Sequence, residues 1–78
     1  MHIPESGDLR DLIGGLAGAA KGPRHQELAK QLEALRADVE SAPRETVDAA
    51  LRLLPQVYKL GAAGIRAAER FKNAISFE

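Results

Sequence analysis

The sequence predicts an all-α fold, and three observations support this prediction. Apolar residues recur at spacings of three and four along almost the whole chain of 78 residues. Alanine, which has the strongest helix preference of any residue, occurs fourteen times. Gly-Pro at 22–23 and Ser-Ala-Pro at 41–43 interrupt the pattern, as turns between helices do. Helices are therefore expected at about residues 8–20, 24–41 and 43–76.

The first predicted helix combines an apolar stripe between Leu9 and Ala20 with an unusual number of glycines. Ser6 or Asp8 is expected to cap its start, because both side chains accept hydrogen bonds from free backbone N–H groups. The glycines within it are Gly14, Gly15 and Gly18. Each costs about 1 kcal/mol relative to alanine, so this helix depends on support from the rest of the protein.

The second predicted helix has the clearest apolar seam. Its members, at spacings of four, three and four, are Leu28, Leu32, Leu35 and Val39. The other faces carry charges of alternating sign, as solvent-exposed helix faces do. The seam is too short for an extended coiled coil, so we expect a helix of a small bundle.

The third predicted helix begins at Pro43, because proline suits a first helical turn. Pro55 interrupts it by removing one backbone hydrogen bond. The apolar stripe keeps its helical phase beyond Pro55, so we predict a kinked helix that continues to residue 76.

Two arrangements of these helices remain open. In the favoured one the first helix folds back at residues 22–23, which gives a small three-helix bundle. In the other, two arms of about 50 Å form a long kinked antiparallel hairpin about Ala42. The hairpin places the glycines of the first helix near residues 66–70. In either case residues 1–78 form a single domain, with frayed ends at 1–6 and 76–78.

Composition excludes several classes of protein. The chain has no cysteine, which excludes disulfides and thiolate metal sites. Eleven basic and eleven acidic residues balance, which argues against a dedicated nucleic-acid-binding protein. Residues 1–10 lack the pattern of a signal peptide, and no apolar stretch is long enough to span a membrane. We therefore expect a cytoplasmic location; the arginine- and alanine-rich, lysine-poor composition is typical of bacterial proteins.

Candidate catalytic and metal-binding residues are few. His2 and His25 have no second histidine at a metal-binding spacing, and His25 does not share a helix face with Glu27. The serines stand at predicted helix ends or in the tail, at positions 6, 41 and 76, where capping is the ordinary role. We expect neither enzymatic activity nor a cofactor or metal.

The apolar residues between 53 and 75 cover more of the helix surface than one packing stripe requires. We therefore predict a non-catalytic protein–protein interaction or self-assembly module, whose partner is another protein or a second copy. The predicted anchors are Leu54, Tyr58, Ile65 and Phe71. Small residues that allow close helix approach are Gly14, Gly18, Gly61 and Gly64.

An alternative function comes from residues 8–15, Asp-Leu-x-x-Leu-x-Gly-Gly. This pattern resembles the double-glycine leader that bacterial peptide exporters cleave. The resemblance implies an exported amphipathic peptide that begins at Leu16 and acts on a membrane surface. Glu69 and the absence of tryptophan weaken the membrane interpretation. A nucleic-acid accessory role depends only on a basic patch, Lys59, Arg66, Arg70 and Lys72.

Overall fold

A computed structural model describes residues 2–75 and shows the predicted all-helical fold, with no β-strand in that range. The described residues form four α-helices and one turn of 3-10 helix, Pro23–His25. The α-helices are α1 (Ser6–Ala19), α2 (Gln26–Ala37), α3 (Pro43–Tyr58) and α4 (Ala62–Ala74).

Helix α1 begins two residues earlier than the prediction. Its N-cap is Glu5, whose carbonyl oxygen accepts a hydrogen bond of 2.8 Å from the Leu9 N–H. No side chain caps this end, so the predicted capping by Ser6 or Asp8 is not observed. Asp8 instead lies in the first turn, where a carboxylate interacts favourably with the positive end of the helix dipole.

The predicted helix over residues 43–76 is divided into two helices, α3 and α4. Pro55 lies inside α3, which continues to Tyr58. Its missing N–H affects only the last turn, so the preceding turns keep their hydrogen bonds. The chain reverses at Gly61, whose φ of 93° is a conformation that residues with a Cβ rarely adopt. Glycine at position 61, and not proline at 55, therefore separates the helices.

Consecutive helices run antiparallel. Arg10 and Arg36 show this for α1 and α2, because Arg10 pairs with Glu40 at 3.1 Å while Arg36 lies next to Gly14. Helix α4 packs against both α3 and α1, which closes a ring of four helices. Helices α1 and α3 also touch across this ring, whereas the described parts of α2 and α4 do not. The molecule measures 31 × 24 × 18 Å, shorter than the arms of about 50 Å that the hairpin alternative requires.

All four helices contribute to one hydrophobic core. Its largest side chains with no exposed surface are Phe71, Leu9, Ile13, Leu16, Leu32 and Ile75. The apolar stripe predicted for the first helix therefore faces the core of the molecule. Of the ends predicted to fray, Ser6 is helical and Ile3 packs against the core, while residues 76–78 lie outside the described range.

Candidate interaction surface

The four predicted anchors divide into two buried and two accessible residues. Phe71 has no exposed surface and Leu54 is 5% exposed, so both belong to the core. They are not available to a partner of the folded chain, which corrects their assignment as surface anchors. Tyr58 is half-buried, and Ile65 is 45% exposed. Ile65 and Tyr58 are therefore the accessible members of the predicted set.

Three of the four predicted contact glycines have a role within the chain. A Cβ on Gly14 would stand 3.3 Å from Cζ and Nε of Arg36. A Cβ on Gly64 would collide with the backbone carbonyl of Val57 and lie 2.8 Å from Cβ of Leu60. Gly61 provides the positive φ of the turn between α3 and α4. These glycines serve internal packing and chain reversal.

Gly18, the fourth predicted contact glycine, has no such internal role. It is exposed, and a Cβ built there would meet nothing within 4 Å. Gly15 shares both properties. Open space over Gly15 in the middle of α1 and over Gly18 near its end leaves a smooth surface on the outside of this helix.

The position of Ile65 on α4 follows from helical phase. Ala67 lines a groove between α4 and α1. Residues two apart on a helix point in nearly opposite directions, since each residue turns the helix by about 100°. Ile65 therefore lies on the other flank of α4, towards its second neighbour, α3.

The same reasoning places Leu51 and Tyr58 on the α4 side of α3. Ala49 and Leu53 line a groove between α3 and α2, so Leu51, midway between them in sequence, points the other way. Tyr58 follows Leu51 by seven residues, or two helical turns, and shares its flank. Both side chains are half-buried against the core. We call Leu51, Tyr58 and Ile65 the Ile65 seam.

The groove between α2 and α3 is an apolar surface that the sequence interpretation missed. It has a volume of about 360 Å³ and is lined by Gln31, Ala34, Leu35, Ala49, Arg52 and Leu53. Leu35 belongs to the predicted apolar seam of the second helix, yet it is only half-buried. The apolar spacing in the second helix indicated which face of α2 packs inwards. It could not show how much of each side chain would be buried.

A second groove runs between α1 and α4 and has charged sides. One section, of about 630 Å³, is lined by residues from His2 to Leu12 together with Arg70 and Ala74. The next section, of about 330 Å³, is lined by Asp11, Leu12, Gly15, Arg66, Ala67 and Arg70. Gly15 thus lies beside residues 66–70, where folding about Ala42 predicted the glycines of the first helix.

The other polar candidates are dispersed. His25 lies in the 3-10 turn, whereas His2 lines the far end of the α1–α4 groove. Ser6 begins α1, and the Ser41 hydroxyl donates a hydrogen bond of 3.4 Å to the Asp38 carbonyl oxygen. In residues 2–75 no three histidine or carboxylate side chains are grouped as a metal site would require.

Residues 8–15, which resemble a double-glycine leader, lie entirely within α1. Leu9 and Ile13 of this segment are fully buried in the core. None of the helices in the described range has both the length and the apolar character needed to cross a bilayer.

Comparison with protein-family models, curated proteins and solved structures found no match to this chain.

Proposed function

We propose that the protein is a non-catalytic interaction or self-assembly module that binds a protein partner through the Ile65 seam. The observation that carries this proposal is the exposure of Ile65. At 45%, Ile65 is the most exposed of the large hydrophobic side chains within residues 2–75. The predicted cytoplasmic location belongs to the same proposal.

Neighbouring side chains strengthen the case for this seam. A single exposed isoleucine is ordinary on a protein surface. Here, however, the half-buried Tyr58 and Leu51 lie on the adjoining flank of α3. Tyrosine is among the residues that contribute most to binding at protein interfaces, because it combines a large apolar ring with a hydroxyl. Covering Ile65 completely would contribute about 1–2 kcal/mol, so the neighbouring residues must supply the rest.

The turn between α3 and α4 brings the parts of the chain that carry the Ile65 seam close together. Gly64 allows the first turn of α4 to approach the carbonyl of Val57 and the side chain of Leu60. This contact holds the first turn of α4, which carries Ile65, against the end of α3, which carries Tyr58. A surface that is already ordered loses less conformational entropy on association, which favours binding.

Photo-crosslinking tests this proposal. Benzoylphenylalanine replaces Ile65 in one variant and Lys30, an exposed residue of α2 outside the Ile65 seam and both grooves, in the control. Each variant is irradiated as purified protein and in an extract of the source cells. We expect a discrete adduct from position 65 only, which excess wild-type protein suppresses and excess Ile65→Asp protein does not.

The pattern of adducts separates the two kinds of partner. An adduct in the purified sample identifies a second copy, and an adduct confined to the extract identifies a different protein. Equal labelling from positions 65 and 30, or suppression by the Ile65→Asp protein, would show that the seam is not the contact surface.

A further inference from the structure

The α1–α4 groove carries opposite charges on its two sides. Asp8 and Asp11 are exposed on the α1 side, whereas Arg66 and Arg70 are exposed on the α4 side. The ion pairs found in residues 2–75 involve other side chains, Arg10 with Glu40 and Arg36 with Glu33. The four groove charges are therefore not paired with each other within one chain.

The floor of the groove, between these charged residues, is apolar and includes residues with small side chains. Leu12 and Ala67 are half-buried there, and Gly15 contributes no side chain. A glycine inside a helix lowers helix stability by about 1 kcal/mol relative to alanine. No contact within residues 2–75 requires Gly15, because a Cβ at that position would have no neighbour within 4 Å among them. The open backbone leaves room for side chains that approach from outside.

We propose that a second copy of this chain docks on the α1–α4 groove to form a two-fold symmetric dimer. If the two-fold axis runs parallel to the helices, α1 of each copy lies over α4 of the other. The axis preserves position along the groove, and within one chain Asp11 and Arg70 line the same section. Each Asp11 therefore faces Arg66 and Arg70 of the partner copy, and the acidic side of one groove meets the basic side of the other.

Charge also excludes the other face-to-face arrangement. A two-fold axis perpendicular to the helices would place α1 over α1 and α4 over α4. Asp8 and Asp11 would then face carboxylates, and Arg66 and Arg70 would face guanidinium groups. Like charges brought together at an interface are strongly unfavourable, so the groove selects one orientation of its partner.

Gly15 has a defined role in the favoured orientation. Gly15 and Arg66 line the same section of the groove, so Arg66 of the partner copy lies over Gly15. The guanidinium of Arg36 already occupies the equivalent space over Gly14 within each chain. Asp11 stands one turn before Gly15 on α1 and is placed to accept a hydrogen bond from that arginine.

This dimer goes beyond the proposed role of the Ile65 seam, because it uses the opposite flank of α4 and specifies the partner. The two proposals can fail separately. The Ile65→Asp variant should dimerise as the wild type does, whereas variants of the groove should keep the crosslink from position 65 to a different protein.

Complementary charge reversal tests the dimer by light scattering after size exclusion over a range of protein concentrations. The wild type is expected at twice the 8.4 kDa of one chain. Arg66→Glu with Arg70→Glu makes the whole groove acidic, and Asp8→Lys with Asp11→Lys makes it basic. We expect each variant alone to dimerise roughly tenfold more weakly or worse, and an equimolar mixture of the two to form a heterodimer.

A matched control changes the same number of charges elsewhere. Arg44→Glu with Arg52→Glu reverses two exposed arginines of α3 and should leave the dimer intact. Circular dichroism confirms that each variant is folded. A wild type that is monomeric at every concentration, reversed variants that still dimerise, or a mixture that does not would each overturn the proposed dimer.

A second variant separates the groove from general charge effects. Gly15→Gln places a polar side chain on the open floor without changing charge, and it removes a helix-weakening glycine. We expect a higher midpoint of thermal unfolding for the monomer together with loss of the dimer. A Gly15→Gln protein that dimerises as well as the wild type would show that the groove floor is not covered by a second copy.

Discussion

The guanidinium group of Arg36 lies against Gly14 of the neighbouring helix, where a Cβ would stand 3.3 Å from both Cζ and Nε. Arg36 Nη1 donates a hydrogen bond of 2.9 Å to Glu33, but its buried Nε has no partner among the described residues. Gly14 thus provides the space in which a charged side chain of α2 crosses α1.

Because of this contact, replacing Gly14 or Gly18 of α1 by alanine should change the stability of the protein by different amounts. Gly18→Ala should raise the free energy of unfolding by up to about 1 kcal/mol, because the added methyl group meets no described residue and alanine favours the helix. Gly14→Ala should raise the free energy of unfolding by a smaller amount, because the guanidinium of Arg36 has to move to make room for the methyl group. Urea denaturation measures both changes.

A double-mutant cycle isolates the Arg36 contribution. In an Arg36→Ala background Gly14→Ala should recover the gain seen for Gly18→Ala, because the guanidinium no longer occupies the space. Equal effects of Gly14→Ala in both backgrounds would show that Arg36 does not restrict position 14.

For Gly64 we expect replacement by alanine to lower the free energy of unfolding. Its Cβ would collide with the backbone carbonyl of Val57, which cannot rotate away as a flexible side chain can. Gly64→Ala should therefore destabilise the protein by about 1–3 kcal/mol, despite the better helix preference of alanine. The comparison is Ala63→Gly at the adjacent exposed position, where only the cost of glycine in a helix, about 1 kcal/mol, applies. If the Gly64→Ala protein were more stable than the wild type, the close approach of α3 and α4 would be refuted.

Pro55 lies in the last turns of α3 on an exposed position. Pro55→Ala should stabilise the protein by about 1–2 kcal/mol, because alanine restores a hydrogen bond to the Leu51 carbonyl and removes a steric clash. The gain is smaller than the full helix-propensity difference of about 3 kcal/mol, since proline also restricts the unfolded chain. Thermal unfolding monitored by circular dichroism shows whether the variant is more or less stable than the wild type. A lower stability would mean that Pro55 is needed to end α3.

Phe71 and Ile65 provide a comparison between core and surface. Phe71→Ala should cost about 3–5 kcal/mol, enough to unfold much of a small domain. Ile65→Ala should change the stability of the isolated chain by well under 1.5 kcal/mol, because almost half of its surface is already exposed. Similar losses for both variants in urea titrations would contradict the placement of Ile65 outside the core.

Sequence periodicity predicts the existence of the first two helices, although α2 spans 26–37 and not 24–41, and it does not predict the division of the third. Helix α1 ends at Ala19, three residues before the Gly-Pro step at 22–23, whereas α2 ends at Ala37, four residues before its predicted end and with no glycine or proline beside it. The division between α3 and α4 depends on the positive φ of Gly61, and glycine tolerates so many conformations that its type alone does not reveal it.

The misassigned anchors have the same cause. One continuous helix over 43–76 would carry Leu54, Phe71 and Ile65 on a single apolar face that is too broad to bury. Once the chain reverses at Gly61, Leu54 of α3 and Phe71 of α4 both point into the core, and only Ile65 stays outside. The roles of Gly14 and Gly64 depend on residues of other helices or of a tight turn, which no local pattern specifies.

The pairing of the first helix with the last means that the helices have a cyclic order in space. Ile3 and Pro4, before α1, share a groove with Ala74 at the end of α4. A short linker between residues 75 and 2 could therefore connect the chain there, while a new opening between the exposed residues Glu40 and Ser41 would leave every helix next to its present neighbours. Such a circular permutant, in the order α3, α4, α1, α2, should keep the same core, because the contacts between helices define this fold and the point at which the chain starts does not.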